Sequence, residues 1–425
     1  MALTALFIVF GALMLLGAPV AIAMGVASMA YLLVSDIPAT VIIFSMVDSL
    51  GGITLLAIPF FVLAGEIMNS GGITKRIFAF AGLLVGHIRG GLAHVNILSS
   101  MFFAGISGSA VADAAGLGKI EIKAMTDAGY PKPFSAAVTA ASSCIGPIIP
   151  PSIMMVLYGS MTDVSIPALF LGGLVPGVML GVFMMVYVYF AAGHYVVPQP
   201  RAAFSAIIIS GLQNFLPLMT PVVIMAGLVF GIFTPTEAGV VAVAYALGVS
   251  VFTGDLKLRD IGPMLTSTLE TSTQILFILA MSTIFGWLVT TERLPEALAV
   301  VFDATGYGKY AFLALINVLL LILGTFMSLT SILVIFTPML VAMGTQLGVD
   351  PIHLGVVVVL NLTVGLITPP LGWALYIVTE IAEIRFVDTA RAILPFLIPI
   401  LLVLLLITYV PYLVLFPSEL LLMGK

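Results

Sequence analysis

Apolar residues dominate the chain in long runs, and polar residues gather in the short intervals between them. Residues 4–34, 179–192 and 394–415 reach or approach the roughly 20 apolar residues that span a bilayer as a helix, so the pattern predicts membrane-crossing helices. No basic residue precedes the first run, which also outlasts the roughly 7–15 apolar residues of a secretory signal and ends without a clear cleavage motif. A retained membrane helix is expected there.

The interruptions of this pattern are more informative than the runs. From Gly90 the chain is apolar to about Gly105, breaks at Ile106-Ser-Gly-Ser109, and continues to Lys119, Lys123 and Lys132. Two such short limbs with basic residues at both ends predict a re-entrant helical hairpin over about residues 90–125. Its irregular tip must be buried in protein, because lipid cannot satisfy a bare backbone. A crossing over about 134–160 follows, interrupted at Gly146-Pro-Ile-Ile-Pro-Pro151, where three prolines withhold backbone donors and leave carbonyls free. A second hairpin over about 310–346 and a second broken helix over about 351–382 repeat the sequence of elements.

This recurrence keeps one offset. Gly105 and Gly324 stand 219 residues apart, and the same shift relates Ser109 to Ser328, Gly129 to Gly348, Gly146 to Gly365, Pro150 to Pro369, Pro151 to Pro370 and Pro176 to Pro395. The matching residues are those that break or cap helices, so they report backbone shape rather than shared greasiness. The expected fold is an all-α polytopic membrane protein of two inverted-topology repeats: residues 1–200, a connecting transmembrane helix within 201–233, and residues 234–425. Inverted repeats with helices interrupted at corresponding places point to a transporter site near the bilayer midplane.

Composition agrees, with 61% hydrophobic and 8% charged residues, against about a quarter charged in a soluble domain. The net charge is −5, and the fourteen Lys and Arg residues are spread over short loops without the clustering of a nucleic-acid-binding face. Lipid, and no nucleic acid, is the expected surrounding. Residues 35–49 carry Asp36 and Asp48 but no cation, whereas the next polar interval carries Lys75, Arg76 and Arg89, which places the amino terminus inside. Continued along the chain, this puts Lys119, Lys123, Lys132, Arg201, Lys257, Arg259, Arg385 and Arg391 inside as well. Arg293, Lys309, Lys425 and the carboxyl terminus fall outside. Residues 74–90, basic at both ends and apolar between, suit a helix lying along the inner interface.

The single cysteine, Cys144, has no intrachain disulfide partner, and His87, His94, His194 and His353 share no metal-ligand spacing. There is no Gly-x-Ser-x-Gly elbow and no His-Glu-x-x-His helix, so an enzyme is not expected. The chemistry gathers instead at the hairpin tips, Gly105–Ala110 and Gly324–Ser331, and at the helix breaks, Ser142–Pro151 and Asn361–Pro370. Freed carbonyls and hydroxyls there can replace the water around a sodium ion, while half-helix N-termini face an anion. One sodium site per half is expected between tip and break, with the substrate between the two tips. Asp113 has Ile332 as its repeat mate, so a role in supporting the first tip is expected rather than a symmetric ligand. Glu66, Glu237, Glu270 and Glu380 are further candidates because carboxylates at membrane depth are costly.

The runs Gly105-Ile-Ser-Gly-Ser-Ala-Val-Ala-Asp113, Ile148-Ile-Pro-Pro-Ser152, Phe233-Thr-Pro-Thr-Glu-Ala238 and Gly365-Leu-Ile-Thr-Pro-Pro370 resemble the large membrane subunit of tripartite ATP-independent periplasmic (TRAP) transporters, part of the ion transporter superfamily. The resemblance covers essentially the whole chain. It implies sodium-coupled import of an organic acid across the bacterial inner membrane by an elevator mechanism, with the amino terminus cytoplasmic and the carboxyl terminus periplasmic. It also implies two partners, a small four-helix membrane subunit and a periplasmic substrate-binding protein, and two or more sodium ions. The stretch Val111-Ala-Asp-Ala-Ala-Gly-Leu-Gly118 with Glu121-Ile-Lys123 is closer to sialic acid members, with C4-dicarboxylate transport or a carrier without partners as alternatives. Carried onto this chain, the first sodium site uses Ser107, Ser109, Gly146, Ile149 and Pro150, and the second Gly324, Ser328, Thr363, Gly365 and Thr368. The substrate is expected against Ser107, Ser109, Ser328, Thr330, Pro151 and Pro370. Cys144 occupies the place of Thr363, so the two sites are expected to differ.

Overall fold

The computed structural model of the protein describes residues 2–38, 40–70, 72–192, 200–254, 256–293, 300 and 308–422. All regular elements among them are helical. Seven of these helices are long and apolar enough to cross a membrane, or eight if the bent pair Phe204–Gln213 and Phe215–Val229 counts as one span. The protein is an all-α polytopic membrane protein.

Two helical hairpins and two broken spans form its centre. The first hairpin joins Gly91–Ser107 to Ala110–Asp127, and the second joins Gly308–Phe326 to Leu329–Gln346. Local chemistry dictates both tips. Gly108 closes the first limb at φ +60°, a left-handed backbone that favours glycine. Ser109 then accepts a hydrogen bond from the Ala112 amide at 3.4 Å and starts the second limb, as Ser328 does with the Ser331 amide at 3.2 Å. Caps of this kind contribute about 1 kcal/mol each. The first broken span is Lys132–Ser143 followed by Ile153–Thr162, and the second is Pro351–Gly365 followed by Trp373–Ala382. Both breaks contain a cis Pro–Pro peptide, Pro150–Pro151 and Pro369–Pro370.

The halves pack crosswise. Ala110–Asp127 lies against Trp373–Ala382, and Leu329–Gln346 lies against Ile153–Thr162, so each returning limb meets the half-helix beyond the other half's break. Where the halves meet, the Cys144 thiol donates to the Thr363 carbonyl at 3.2 Å, which brings a residue onto its own repeat mate. Ile166–Ala191 covers Pro351–Gly365, and Phe386–Tyr409 covers Lys132–Ser143 in the same exchanged sense. Ala57–Ser70, Pro235–Phe252 and Leu258–Thr291 pack together beside this centre, with Val20–Val34 against the last of them.

Buried amides fasten each hairpin to its broken span. Asn96 donates to the Thr139 hydroxyl at 2.7 Å and accepts from Ser142 at 2.8 Å. In the other half Asn361 donates to the Asn317 side-chain oxygen at 2.7 Å, and Asn317 donates to Thr408 at 3.0 Å. Such bonds hold helices together where lipid removes the hydrophobic drive between them.

Three expected elements differ. The run at residues 4–34, expected as one membrane helix, is two helices, Ala2–Leu15 and Val20–Val34, folded against each other around Gly17 at φ +79° and Pro19. Residues 35–49, expected as a loop, include most of the helix Thr40–Leu50. The connecting helix expected within 201–233 is bent by 64° between Phe204–Gln213 and Phe215–Val229. Residue Lys425 lies outside the described residues, as does His194.

Candidate functional site

The two hairpin tips open into one cavity of about 770 Å³, within the size range of small-molecule sites. Ser107, Gly108 and Ser109 enter it from one half, and Ser328, Leu329 and Thr330 from the other. The facing wall comes from Val62 to Asn69 and from Ser267 to Ile278, on helices outside the hairpins and broken spans. The cavity therefore lies between the paired central elements and the helices beside them.

Behind the first tip, polar groups converge on the first helix break. Asp113 is 1% exposed and accepts a hydrogen bond from the Ser107 hydroxyl. Its other oxygen has no hydrogen-bond partner among the described residues and rests against Gly146, where a methyl group would stand 2.4 Å from it. Only glycine leaves room for a carboxylate at that distance from the chain. A methyl group at Gly108 would lie 2.5 Å from the Pro151 carbonyl oxygen, so tip and break touch backbone to backbone. The second junction is built alike without a charge: methyl groups at Gly324 and Gly365 would each fall within 3 Å of the other glycine's Cα. Thr363 and Thr368 donate to Leu360 and Val364 carbonyls at 2.7 Å, leaving their oxygen lone pairs free.

The expected residues separate into two layers. Ser107, Ser109, Ser328 and Thr330 line the cavity. Gly146, Ile149, Pro150, Thr363, Gly365 and Thr368 lie behind the tips at the breaks, and Gly324, on the second hairpin, meets Gly365 there. Pro151 and Pro370, expected against the substrate, are not among the lining residues; the Pro151 carbonyl faces Gly108 instead. Hydroxyls, carbonyls and one carboxylate make a hard donor set of the kind alkali and alkaline-earth cations prefer.

Other candidates resolve differently. Glu66 lines the cavity and accepts from Ser267 at 2.8 Å. Glu237 forms a capping box with Thr234, whose hydroxyl accepts from the Glu237 amide at 3.3 Å. The Phe233-Thr-Pro-Thr-Glu-Ala238 run is thus a helix start, with Pro235 in the first turn. Glu270 and Glu380 are exposed. His94 and His353 bond the backbone carbonyls of Arg89 and Ile407.

Two charged residues that the sequence does not mark as site residues lie at or near the cavity. Lys119 lines the cavity about three turns below the first tip, and the Glu121 carboxylate is 0% exposed, with Thr139 beside it. Both sit in a stretch that reads as a basic loop end. The helical spacing of Ala112, Ala115, Gly116 and Lys119, all cavity-lining, is the signal that marks one face.

A helical membrane protein with paired hairpins, paired broken spans and a shared cavity at their tips has the build of a secondary transporter. Residues 7–413 match the family described as "Tripartite ATP-independent periplasmic transporter, DctM component". The chain belongs to this family. It is 43% identical over 423 residues to the "Sialic acid TRAP transporter large permease protein SiaM" of Vibrio cholerae, covering 97% of this chain and 98% of that one. It is 39% identical over 360 residues to the "C4-dicarboxylate TRAP transporter large permease protein DctM" of Pseudomonas aeruginosa, covering 84% of each. The Alcanivorax borkumensis YdaH transporter shares the fold at a TM-score of 0.63 and 15% identity, with 87% of each chain covered. As a TRAP large permease, the protein is a multi-pass transporter component and not an enzyme.

Proposed function

We propose that the chain imports an organic acid, sialic acid in the first instance, together with sodium ions across the bacterial inner membrane. The observation that carries this reading is the single cavity into which both tips project, walled on its far side by separate helices. Sodium would sit behind the tips: Ser107, Ser109, Gly146, Ile149 and Pro150 in one half, and Gly324, Ser328, Thr363, Gly365 and Thr368 in the other. The buried Asp113 oxygen beside Gly146, without a partner among the described residues, supports a cation there, because an uncompensated buried charge is expensive.

The hairpins and broken spans, cross-packed into one body, would slide as an elevator against Ala57–Ser70, Pro235–Phe252 and Leu258–Thr291. Division into repeats at 1–200 and 234–425 fits that movement. With the basic loops cytoplasmic, the cavity is lined by the ends of helices leading to Lys75, Lys123, Lys257 and Arg385, which supports an inward-open arrangement. A small four-helix subunit and a periplasmic binding protein are the partners that a tripartite family implies. Sialic acid is favoured by the 43% identity to SiaM over nearly the whole chain, and a C4-dicarboxylate by the 39% identity to DctM.

Proteoliposomes containing this chain and its small subunit test the reading. Uptake of sialic acid is expected only with binding protein and an inward sodium gradient. Uptake at the same rate without sodium would remove the coupling, and uptake of succinate alone would replace the substrate.

A further inference from the structure

We propose that Lys119 holds the carboxylate of the transported acid and that Glu66, across the cavity, selects acids with one carboxylate over acids with two. This rests on the organic-acid reading above and names the group that recognises the acid. Among the described residues, Lys119 and Glu66 are the charged side chains that line the cavity, one of each sign. Lys119 is exposed and has no hydrogen-bond or ion-pair partner among the described residues, so its ammonium is free for a ligand. Glu66 is oriented by the Ser267 hydroxyl at 2.8 Å.

The helix carrying Lys119 makes room for a ligand body above it. Ala112, Ala115 and Gly116 line the cavity on the same face with small side chains, and over Gly116 the Asn69 side chain already takes the space that a methyl group would fill. Ten residues of helix, about 15 Å of rise, separate Ser109 from Lys119. Helical side chains lean toward the N-terminus, so the lysine stem points back toward the tip serines. Asn69, Ser267, Thr271 and Gln274 supply uncharged hydrogen-bonding groups opposite.

That inventory suits one class of acid. A hydroxyl-rich acid with one carboxylate, as sialic acid is, meets one cation and a wall of neutral donors and acceptors. A C4-dicarboxylate brings a second negative charge without a second lysine or arginine to receive it, and toward a carboxylate that repels it. Discrimination then comes from a repulsive element as well as an attractive one.

Calorimetric binding of sialic acid and of succinate to the purified complex, alongside uptake in proteoliposomes, tests the proposal. Lys119→Gln should weaken sialic acid binding at least tenfold and raise KM while maximal uptake and the half-saturating sodium concentration change little. Lys119→Arg should restore most of the affinity, which a lost structural contact would not predict. Glu66→Gln should improve succinate binding relative to sialic acid. Unchanged sialic acid affinity in a normally melting Lys119→Gln complex would overturn the assignment. Equal loss in Lys119→Arg and Lys119→Gln would also overturn it, since a positive charge would then not be the recognised feature. Binding by the unaltered complex without sodium-driven uptake would strike the transport reading and leave the Lys119 comparison to be judged on affinity alone.

Discussion

At the first hairpin–break junction the carboxylate of Asp113 lies between Ser107 and Gly146, while at the second Gly324 and Gly365 meet directly and the tip serines bond each other, Ser328 to Ser331 at 2.6 Å. The backbone plan is shared down to the cis Pro–Pro peptides, yet the positions equivalent to Asp113, Lys119 and Glu121 are Ile332, Pro338 and Leu340. Symmetry therefore resides in the residues that shape the chain, and charge has been placed on one half alone. A cross-packed centre needs matching shapes from both halves, whereas a ligand with a distinct charged end needs unlike walls.

Shape should be the more sensitive of the two. In Gly365→Val the first added carbon would stand 2.6 Å from the Gly324 Cα, and backbone on both sides leaves nothing flexible to yield. Overpacking of this kind costs about 1–3 kcal/mol and more where no side chain can move. Uptake should be abolished and the melting temperature of the complex clearly lowered. At Gly116 the corresponding contact, 2.7 Å, is with the tip of the Asn69 side chain, which can swing aside. Gly116→Ala should therefore melt close to the unaltered protein, and similar losses at the two sites would contradict the distinction.

Charge should matter less to folding and more to sodium. Asp113→Asn keeps the outline of the side chain beside Gly146 and removes the charge proposed to support the first cation. Charged hydrogen-bonding partners contribute about 1.5–3 kcal/mol, so the half-saturating sodium concentration for uptake should rise by about tenfold or more. Placing a carboxylate at the equivalent site of the other half, Ile332→Asp, should not restore it. An unchanged sodium dependence in Asp113→Asn would put the ion elsewhere.

What could be read from residues alone follows the same division. Hairpins and breaks were legible because Gly, Ser and Pro punctuate them, and punctuation at one offset is hard to imitate. Gly17 and Pro19 split residues 4–34 into two helices, yet apolar residues continue on both sides and hide the break. Asn214, which bends the connecting segment, is a single polar residue among apolar ones, and its amide bonds the Ser210 carbonyl at 2.8 Å. Lys119 reads as one more cytoplasmic cation until the helix face it shares with Ala112 and Gly116 is known to line a cavity. The place of Pro151 in the break points it toward the substrate in the sequence, whereas in the fold its carbonyl is covered by the hairpin tip.

The smallest expected effect lies in the buried amide networks, where the halves differ in reach. Asn96 in the first half bonds Thr139 and Ser142, both on the broken span beside it. Asn317 bonds Asn361 on its own broken span and also Thr408, on the long helix Phe386–Tyr409 that covers the opposite half. Thr408→Val keeps the outline of the side chain and deletes the acceptor for the Asn317 amide, together with the hydroxyl's bond to the Leu404 carbonyl of its own helix at 2.7 Å. Hydrogen bonds between membrane helices contribute about 0.6 kcal/mol on average and about 1.7 at most, so the melting temperature should fall slightly with uptake kinetics nearly intact. If Phe386–Tyr409 travels with the hairpins, this bond is never broken during transport and its loss should leave KM and maximal uptake alone. If that helix stays behind while the hairpins move, the bond breaks in every cycle, and Thr408→Val should instead raise the maximal rate.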